Sequence, residues 1–251
     1  MSSLEDVQAI EAVFERAWPA VEELRDGDWV ARFSGGYTKR ANSIVFMGGA
    51  GEDGALAQRM ARLEAACEAR QMRPCYRITP LAPKGAVEAL EARGWTRFDR
   101  SVVQTMALRK AMRAVGALTQ LFELTDAHWQ AALVDMAGGN ANAAALGEII
   151  ARIAVPAKGV LVYDDSQQPV GAALVVSADG IAVFLNVVVA QNARRQGFGQ
   201  ALMHSALNWA VQGGAQRAAI QVQADNGPAL ALYQGLGFTE IYDYHYRRAV
   251  L

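Results

Sequence analysis

Short runs of β-branched residues alternate with amphipathic stretches along this chain, a pattern that predicts an α/β protein. The clearest run, residues 181–190 (Ile-Ala-Val-Phe-Leu-Asn-Val-Val-Val-Ala), reads as a buried strand. Beyond it, Phe198, Leu202, Ser205 and Trp209 recur at helical spacing. A helix is therefore expected to begin beside Gly197 and Gly199 and to run to about 211. Before the long strand the pattern predicts a strand at 121–124, helices at 126–137 and 140–153 capped by Asp126 and Asn140, and strands at 159–163 and 170–176. After the helix come a strand at 218–222, a helix at 228–236 and a last strand from 239. Asp225 or Asn226 can cap that last helix, Pro228 suits its first turn, and Gly237 suits its C-terminal cap. Ala229, Leu232, Tyr233 and Leu236 share its apolar face.

The segment Arg194-Arg195-Gln196-Gly197-Phe198-Gly199 sits where the long strand gives way to the helix. Glycines at a strand–helix junction let unpaired backbone N–H groups converge at the positive end of a helix, which makes a phosphate cradle. An ordinary strand–helix turn has the same composition. A Gly-Lys-Ser/Thr phosphate loop is excluded, because Gln200 and Ala201 follow Gly199. A dinucleotide fingerprint is excluded too, because Leu202 stands where its third glycine belongs.

What remains resembles the pyrophosphate loop of the GNAT superfamily of acetyl-CoA-dependent N-acyltransferases: Arg194, Gly197 and Gly199, followed by Ala201-Leu202. The downstream order Asn226, Ala229, Leu232-Tyr233, Gly237-Phe238 resembles the second block of the same family. The resemblance covers roughly residues 118–251. It implies a GNAT fold with a mixed sheet, acetyl-CoA as co-substrate, no metal, and transfer to a primary amine of a small molecule or peptide by direct attack in a ternary complex. It assigns coenzyme contacts to Val187, Val188 and Val189 on the long strand, to Arg194, Arg195, Gln196, Gly197, Phe198, Gly199 and Gln200 in the loop, and to Asn226. It makes Tyr233 the general acid. A phenol near pKa 10 can protonate a thiolate near 8.5 as it leaves; a core tyrosine on an apolar helix face is the plainer reading.

The N-terminal half carries a fainter version of the same order. Strands are expected at 29–34 and 42–47, a helix at 53–70, a strand at 75–79, a helix at 84–93 and a strand at 97–108. Residues 90–95 echo 232–238. Two tandem GNAT-like halves are therefore expected, 1–112 and 118–251, with the first degenerate. Where its cradle should lie the chain reads Met47-Gly-Gly-Ala-Gly-Glu-Asp-Gly54, and Glu52 and Asp53 would repel a pyrophosphate. The alternative is an α/β extension unrelated to the second half.

The general base is not legible. Relatives commonly use a glutamate near the long strand, whereas Asn186 is the one polar side chain within it. Asp179, Glu148, Asp243 and His245 are candidates from other elements, and His128 and His204 read as partly exposed helix residues. The last strand should put Tyr242, Tyr244 and Tyr246 on one face and Asp243 and His245 on the other. One of those faces, or the polar stretch 37–42, could border an acceptor.

Composition narrows the partners. A net charge of −1 over 251 residues offers no basic field for nucleic acid. No apolar run reaches the length of a membrane span, and the first residues lack the form of a signal peptide. Cys67 and Cys75 do not make a disulfide framework, and Cys67 falls on the stripe Leu56, Met60, Leu63, Cys67. A cytoplasmic enzyme is expected, with room for a homodimer face at 52% apolar residues. The rival expectations are a non-catalytic acyl-CoA-binding module and an enzyme for a longer acyl donor.

Overall fold

The structure, a computed structural model, describes residues 3–48, 54–109, 116–137, 139 and 143–250. The expected cap Asn140 and most of the glycine-rich stretch 47–54, Glu52 and Asp53 included, lie outside them. The chain forms two compact units, Met1–Val103 with Gln223–Asp225 and Glu240–Leu251, and Gln104–Val222 with Asn226–Thr239.

The first unit contains α1 (Leu4–Ala17), β1 (Glu22–Asp26), β2 (Trp29–Phe33), β3 (Ile44–Phe46), α2 (Leu56–Ala69), β4 (Tyr76–Ile78), α3 (Lys84–Ala92) and most of β5 (Thr96–Ala107). Sequence periodicity left out α1 and β1. Yet α1 carries its signals: the Ser3 hydroxyl accepts from the Asp6 N–H, and Val7, Ile10, Val13, Phe14 and Ala17 line one buried face. Strand β1 (Glu-Glu-Leu-Arg-Asp) is a charged edge strand without apolar alternation. Its sheet order is β1-β2-β3-β4-β11-β5, where β11 is the chain's last strand (Thr239–Arg248).

The compact units thus do not follow chain order. Strand β11, grouped with the second half in the sequence reading, is built into the first unit by antiparallel pairing with β4 (Tyr246↔Arg77). Its three tyrosines form one buried face, as alternation predicts. Two of them close a polar cluster. The Arg77 guanidinium binds both Glu11 carboxylate oxygens at 2.6 and 2.9 Å and lies 4.0 Å over the Tyr244 ring, while the Tyr242 hydroxyl donates to Glu11 at 2.7 Å.

The second unit has the sheet order β10-β9-β8-β7-β6: β6 (Thr119–Phe122), β7 (Ala157–Tyr163), β8 (Pro169–Ala178), β9 (Ile181–Val189) and β10 (Arg217–Gln223). Helices α4 (Ala127–Met136), α5 (Ala143–Ile150), α6 (Phe198–Gln212) and α7 (Gly227–Leu236) complete it. These elements match the predicted ones within a few residues. The pairing is antiparallel from β6 to β9 and parallel between β9 and β10, giving a mixed sheet.

Candidate active site

Two features of β9 open the site. First, its register with β10 runs from Ile181↔Arg217 to Phe184↔Ile220 and ends there, so from Leu185 onward that edge of β9 has no β10 partner. Second, its ladder with β8 carries a bulge. Leu185 pairs with Leu174 and Val188 with Ala172, so Asn186 and Val187 together stand opposite the single residue Ala173. Asn186 takes φ +48°, the left-handed conformation that asparagine tolerates better than β-branched residues do. From the bulge onward, Val187, Val188 and Val189 all border one cleft of about 890 Å³.

The glycine segment forms another wall. After a single 3-10 turn at Gln191–Ala193, Arg195 and Gly197 adopt φ +62° and +87°, and Gly197 becomes the N-cap of α6. The N–H groups of Gln200 and Ala201 turn back onto the Gly197 carbonyl, while those of Gly197, Phe198 and Gly199 precede the first intrahelical bond. These amides, the helix dipole and the exposed Arg194 and Arg195 set a positive end to the cleft. The Arg194 Nε tethers the loop to the Val189 carbonyl at 3.3 Å. A Cβ at Gly199 would meet Leu232 Cδ2 at 3.2 Å, so a side chain there would press α6 against α7. At Gly197 a Cβ would meet nothing within 4 Å.

Helix α7 supplies the third wall. The Asn226 Oδ1 accepts from the Ala229 N–H at 3.2 Å, Pro228 occupies the first turn, and Gly237 ends the helix at φ +98°. Asn226, Leu232 and Tyr233 border the cleft. The Tyr233 ring packs 5.9 Å from Phe238, and among the described residues its hydroxyl has no protein partner. Burial pushes this phenol up to about 12, so it holds its proton at neutral pH.

The cleft thus joins anion-binding amides at one end to an apolar, open-edged strand and a protonated phenol at the other. A family model described as "Probable histone acetyltransferase Rv0428c C-terminal" matches residues 5–248. The chain belongs to this family of GNAT acetyltransferases. A relative from Bacillus subtilis (strain 168), "Uncharacterized N-acetyltransferase YobR", is 26% identical over 248 residues, spanning 97% of this chain and 99% of its own length. Among solved structures, a GCN5-related N-acetyltransferase from Kribbella flavida superposes with a TM-score of 0.74 at 18% identity, over 99% of this chain and 96% of that one. A tandem GNAT protein from the clavulanic acid biosynthesis pathway gives a TM-score of 0.67 at 13% identity, over 83% of this chain and 74% of that one. The fold is therefore the GNAT fold, and the protein is an acyltransferase.

Within this GNAT site, most residues expected at the coenzyme come together: Val187, Val188, Val189, Arg194, Arg195, Gly197, Gly199, Gln200, Asn226 and Tyr233 all line the cleft. Gln196 and Phe198 do not. The Gln196 side chain bonds back to the Asn192 carbonyl at 3.2 Å, and Phe198 is half-buried at the start of α6. Sequence reasoning missed Pro228, Ala229, Ala231 and Leu232 as cleft residues: the first, second and fourth read only as helix-start or apolar-face positions, and Ala231 follows Pro228 at the i, i+3 spacing that puts both on the cleft side of α7.

The candidate bases fare differently. In the second unit neither Asp179, Glu148 nor Asn186 lines the cleft. Asp179 and Gly180, at φ +49° and +74°, form the tip of the β8–β9 hairpin, and Glu148 is exposed on α5. In the first unit Asp243 pairs with Arg100 at 2.8 Å and Arg97 at 3.4 Å. Burial, with Arg97 and Arg247 beside it, pulls the His245 ring down to about 4, which makes it a weak base. His128 is exposed as expected and stacks on Tyr163, whereas His204 is buried, because the buried face of α6 is wider than the stripe read from the sequence. Burial raises the Cys67 thiol to about 11, in keeping with a packing role. Among the described residues no cluster of His, Cys, Asp or Glu could hold a metal, and no helix is long and apolar enough to cross a membrane.

Proposed function

We propose that the protein transfers the acetyl group of acetyl-CoA to a primary amine of a small molecule or peptide, by direct attack in a ternary complex in its second unit. The observation that carries this reading is the meeting, in one cleft, of the left-handed start of α6 with the open edge of β9. The amides of Gly197 and Gly199, with Arg194 and Arg195, hold the pyrophosphate. Gln200 and Asn226 border the nucleotide end, and Val187 to Val189 hold the pantetheine arm. The amine attacks in its neutral form. A backbone N–H of Val187 or Val189 stabilises the oxyanion as the carbon–nitrogen bond forms. As the carbon–sulfur bond breaks, Tyr233 gives its proton to the leaving thiolate, and the amine's own proton passes to water.

Residues 1–112 form, in this reading, a degenerate GNAT-like half. Helix caps support it. Trp95 donates to the Leu90 carbonyl and Gly94 to Glu91, as Phe238 donates to Tyr233 and Gly237 to Gln234. The first half thus repeats the end of α7 with Leu90 standing where the phenol is. Two free thiols suit a cytoplasmic setting.

Calorimetric titration with acetyl-CoA tests the reading on the wild type, Gly197→Ala and Gly197→Trp. Both variants carry the same left-handed strain, worth about 1–2 kcal/mol, but the larger side chain alone fills the cleft. Micromolar binding to the wild type, weakened in the alanine variant and abolished in the tryptophan variant, is expected. A folded wild type that takes up no acetyl-CoA refutes it.

A further inference from the structure

The bulge in β9 has a support that comes from outside the sheet. Opposite Asn186 and Val187 stands Ala173, and its carbonyl accepts a hydrogen bond at 3.2 Å from the Trp129 indole N–H. Bulges disrupt the ladder locally, and a carbonyl there needs a donor from elsewhere. Trp129 is completely buried. Its ring lies flat over Gly159, where a Cβ would come within 2.3 Å of the indole Cδ2, so any larger residue would displace it. Gly159 pairs with Leu174, next to Ala173. The indole is also fixed from its own backbone, because the Asp126 carboxylate caps α4 by accepting from the Trp129 N–H at 3.0 Å. One chain of contacts thus runs from the cap of α4, through the indole, to the residue facing the bulge. The bulge in turn decides which way the Val187–Val189 amides point.

We propose that Trp129 is a positioning residue for acyl transfer: its indole clamps the β8–β9 bulge and so sets the aim of the strand amides that receive the thioester arm. This rests on the cleft being the acetyl-CoA site. The clamp acts through the bulge and never touches the substrate. It therefore affects groups that depend on β9 and spares those that depend on the α6 cradle alone.

That split is the test. Trp129→Phe removes the indole donor and keeps an aromatic ring over Gly159, and Gly159→Ala keeps the donor and displaces the ring. Each variant is compared with the wild type in three measurements: amide hydrogen exchange across residues 186–189 in the free protein, calorimetric affinity for acetyl-CoA, and affinity for 3′-phospho-ADP, the nucleotide part of the coenzyme without the arm. Expected are exchange faster by about tenfold at 186–189 and acetyl-CoA binding weaker by about tenfold, the scale of one lost hydrogen bond, with 3′-phospho-ADP affinity unchanged. General loosening of the fold would weaken both ligands together and overturns the proposal. So does unchanged exchange, or acetyl-CoA affinity equal to the wild type's. A folded wild type that binds neither ligand overturns the acetyl-CoA reading itself, an outcome distinct from a wild type that binds both and a variant that matches it.

Discussion

Tyr233→Phe separates chemistry from binding more cleanly than any other substitution in the cleft. The ring stays, with its contact to Phe238 at 5.9 Å, and the lost hydroxyl has no protein partner among the described residues. Folding stability should therefore change by less than about 1 kcal/mol. The phenol is raised to about 12 by burial. At pH 7.5 it therefore keeps its proton, so it can serve as an acid and not as a base. A pKa of 12 looks too high to protonate a thiolate of free pKa near 8.5. However, the desolvation that disfavours phenolate also disfavours a thiolate formed in the same cleft, so the two values rise together and stay closer than their absolute positions suggest. General acid catalysis contributes about 10²–10⁴-fold. The variant should accordingly lose about a hundredfold or more in kcat, roughly 2.7 kcal/mol or more of barrier, with the acetyl-CoA Kd unchanged within about twofold. The assay is release of the coenzyme thiol at saturating acetyl-CoA and the best amine from a screen. The sign of the pH dependence follows as well: because the phenol keeps its proton, its ionisation should produce no alkaline fall in kcat below about pH 10. A kcat within twofold of the wild type's refutes the assignment and leaves Tyr233 as a wall of the cleft.

Two further predictions concern the first unit. Glu11→Ala leaves the buried Arg77 guanidinium without its carboxylate and removes the acceptor of the Tyr242 hydroxyl, so urea unfolding should show a loss of about 3–5 kcal/mol; a loss under about 1 kcal/mol would mean that water or another carboxylate replaces Glu11. The His245 ring, lowered from 6.5 to about 4, should titrate near 4 by NMR and be neutral at pH 6. Because the unfolded chain binds the extra proton between those values, this residue's contribution to stability is present above about pH 6.5 and is lost as pH falls toward 4. A ring already charged at pH 6 contradicts this.

How much of this was legible depended on whether the determinant was local. The cradle, the cap at Asn226, the stop at Gly237 and the buried tyrosine face of β11 are each set by residues within a turn or two of one another, and periodicity and cap chemistry reach that far. Helix α1 is equally local, set by its Ser3 cap and its apolar stripe. By contrast, β1 gives no apolar alternation because its charges serve an edge, and its place depends on the hairpin with β2. The placement of β11 in the first unit was out of reach for another reason. Nothing in Tyr242-Asp-Tyr-His-Tyr-Arg247 says which strand it will pair with, since Glu11 and Arg77, which receive its tyrosines, lie more than a hundred residues earlier.

The bulge lies between these extremes, and it bears most on function. Seen in sequence, Asn186 breaks an apolar run and invites a reading as a catalytic polar group. In the fold its backbone matters more than its side chain. An asparagine accepts φ +48° at a position where valine would be strained, and that conformation lets three successive valines meet one cleft. A regular strand would send alternate residues to opposite faces. The one polar residue of this strand thus answers a conformational requirement, which a search for acids and bases does not detect. The partner of that requirement, Trp129 on the Ala173 carbonyl, is almost sixty residues upstream of Asn186 and has no motif to announce it. A side chain that holds a backbone in place is constrained by shape and by one donor, so it leaves no spacing rule in a single sequence. It becomes visible when the carbonyl it satisfies can be seen opposite a bulge.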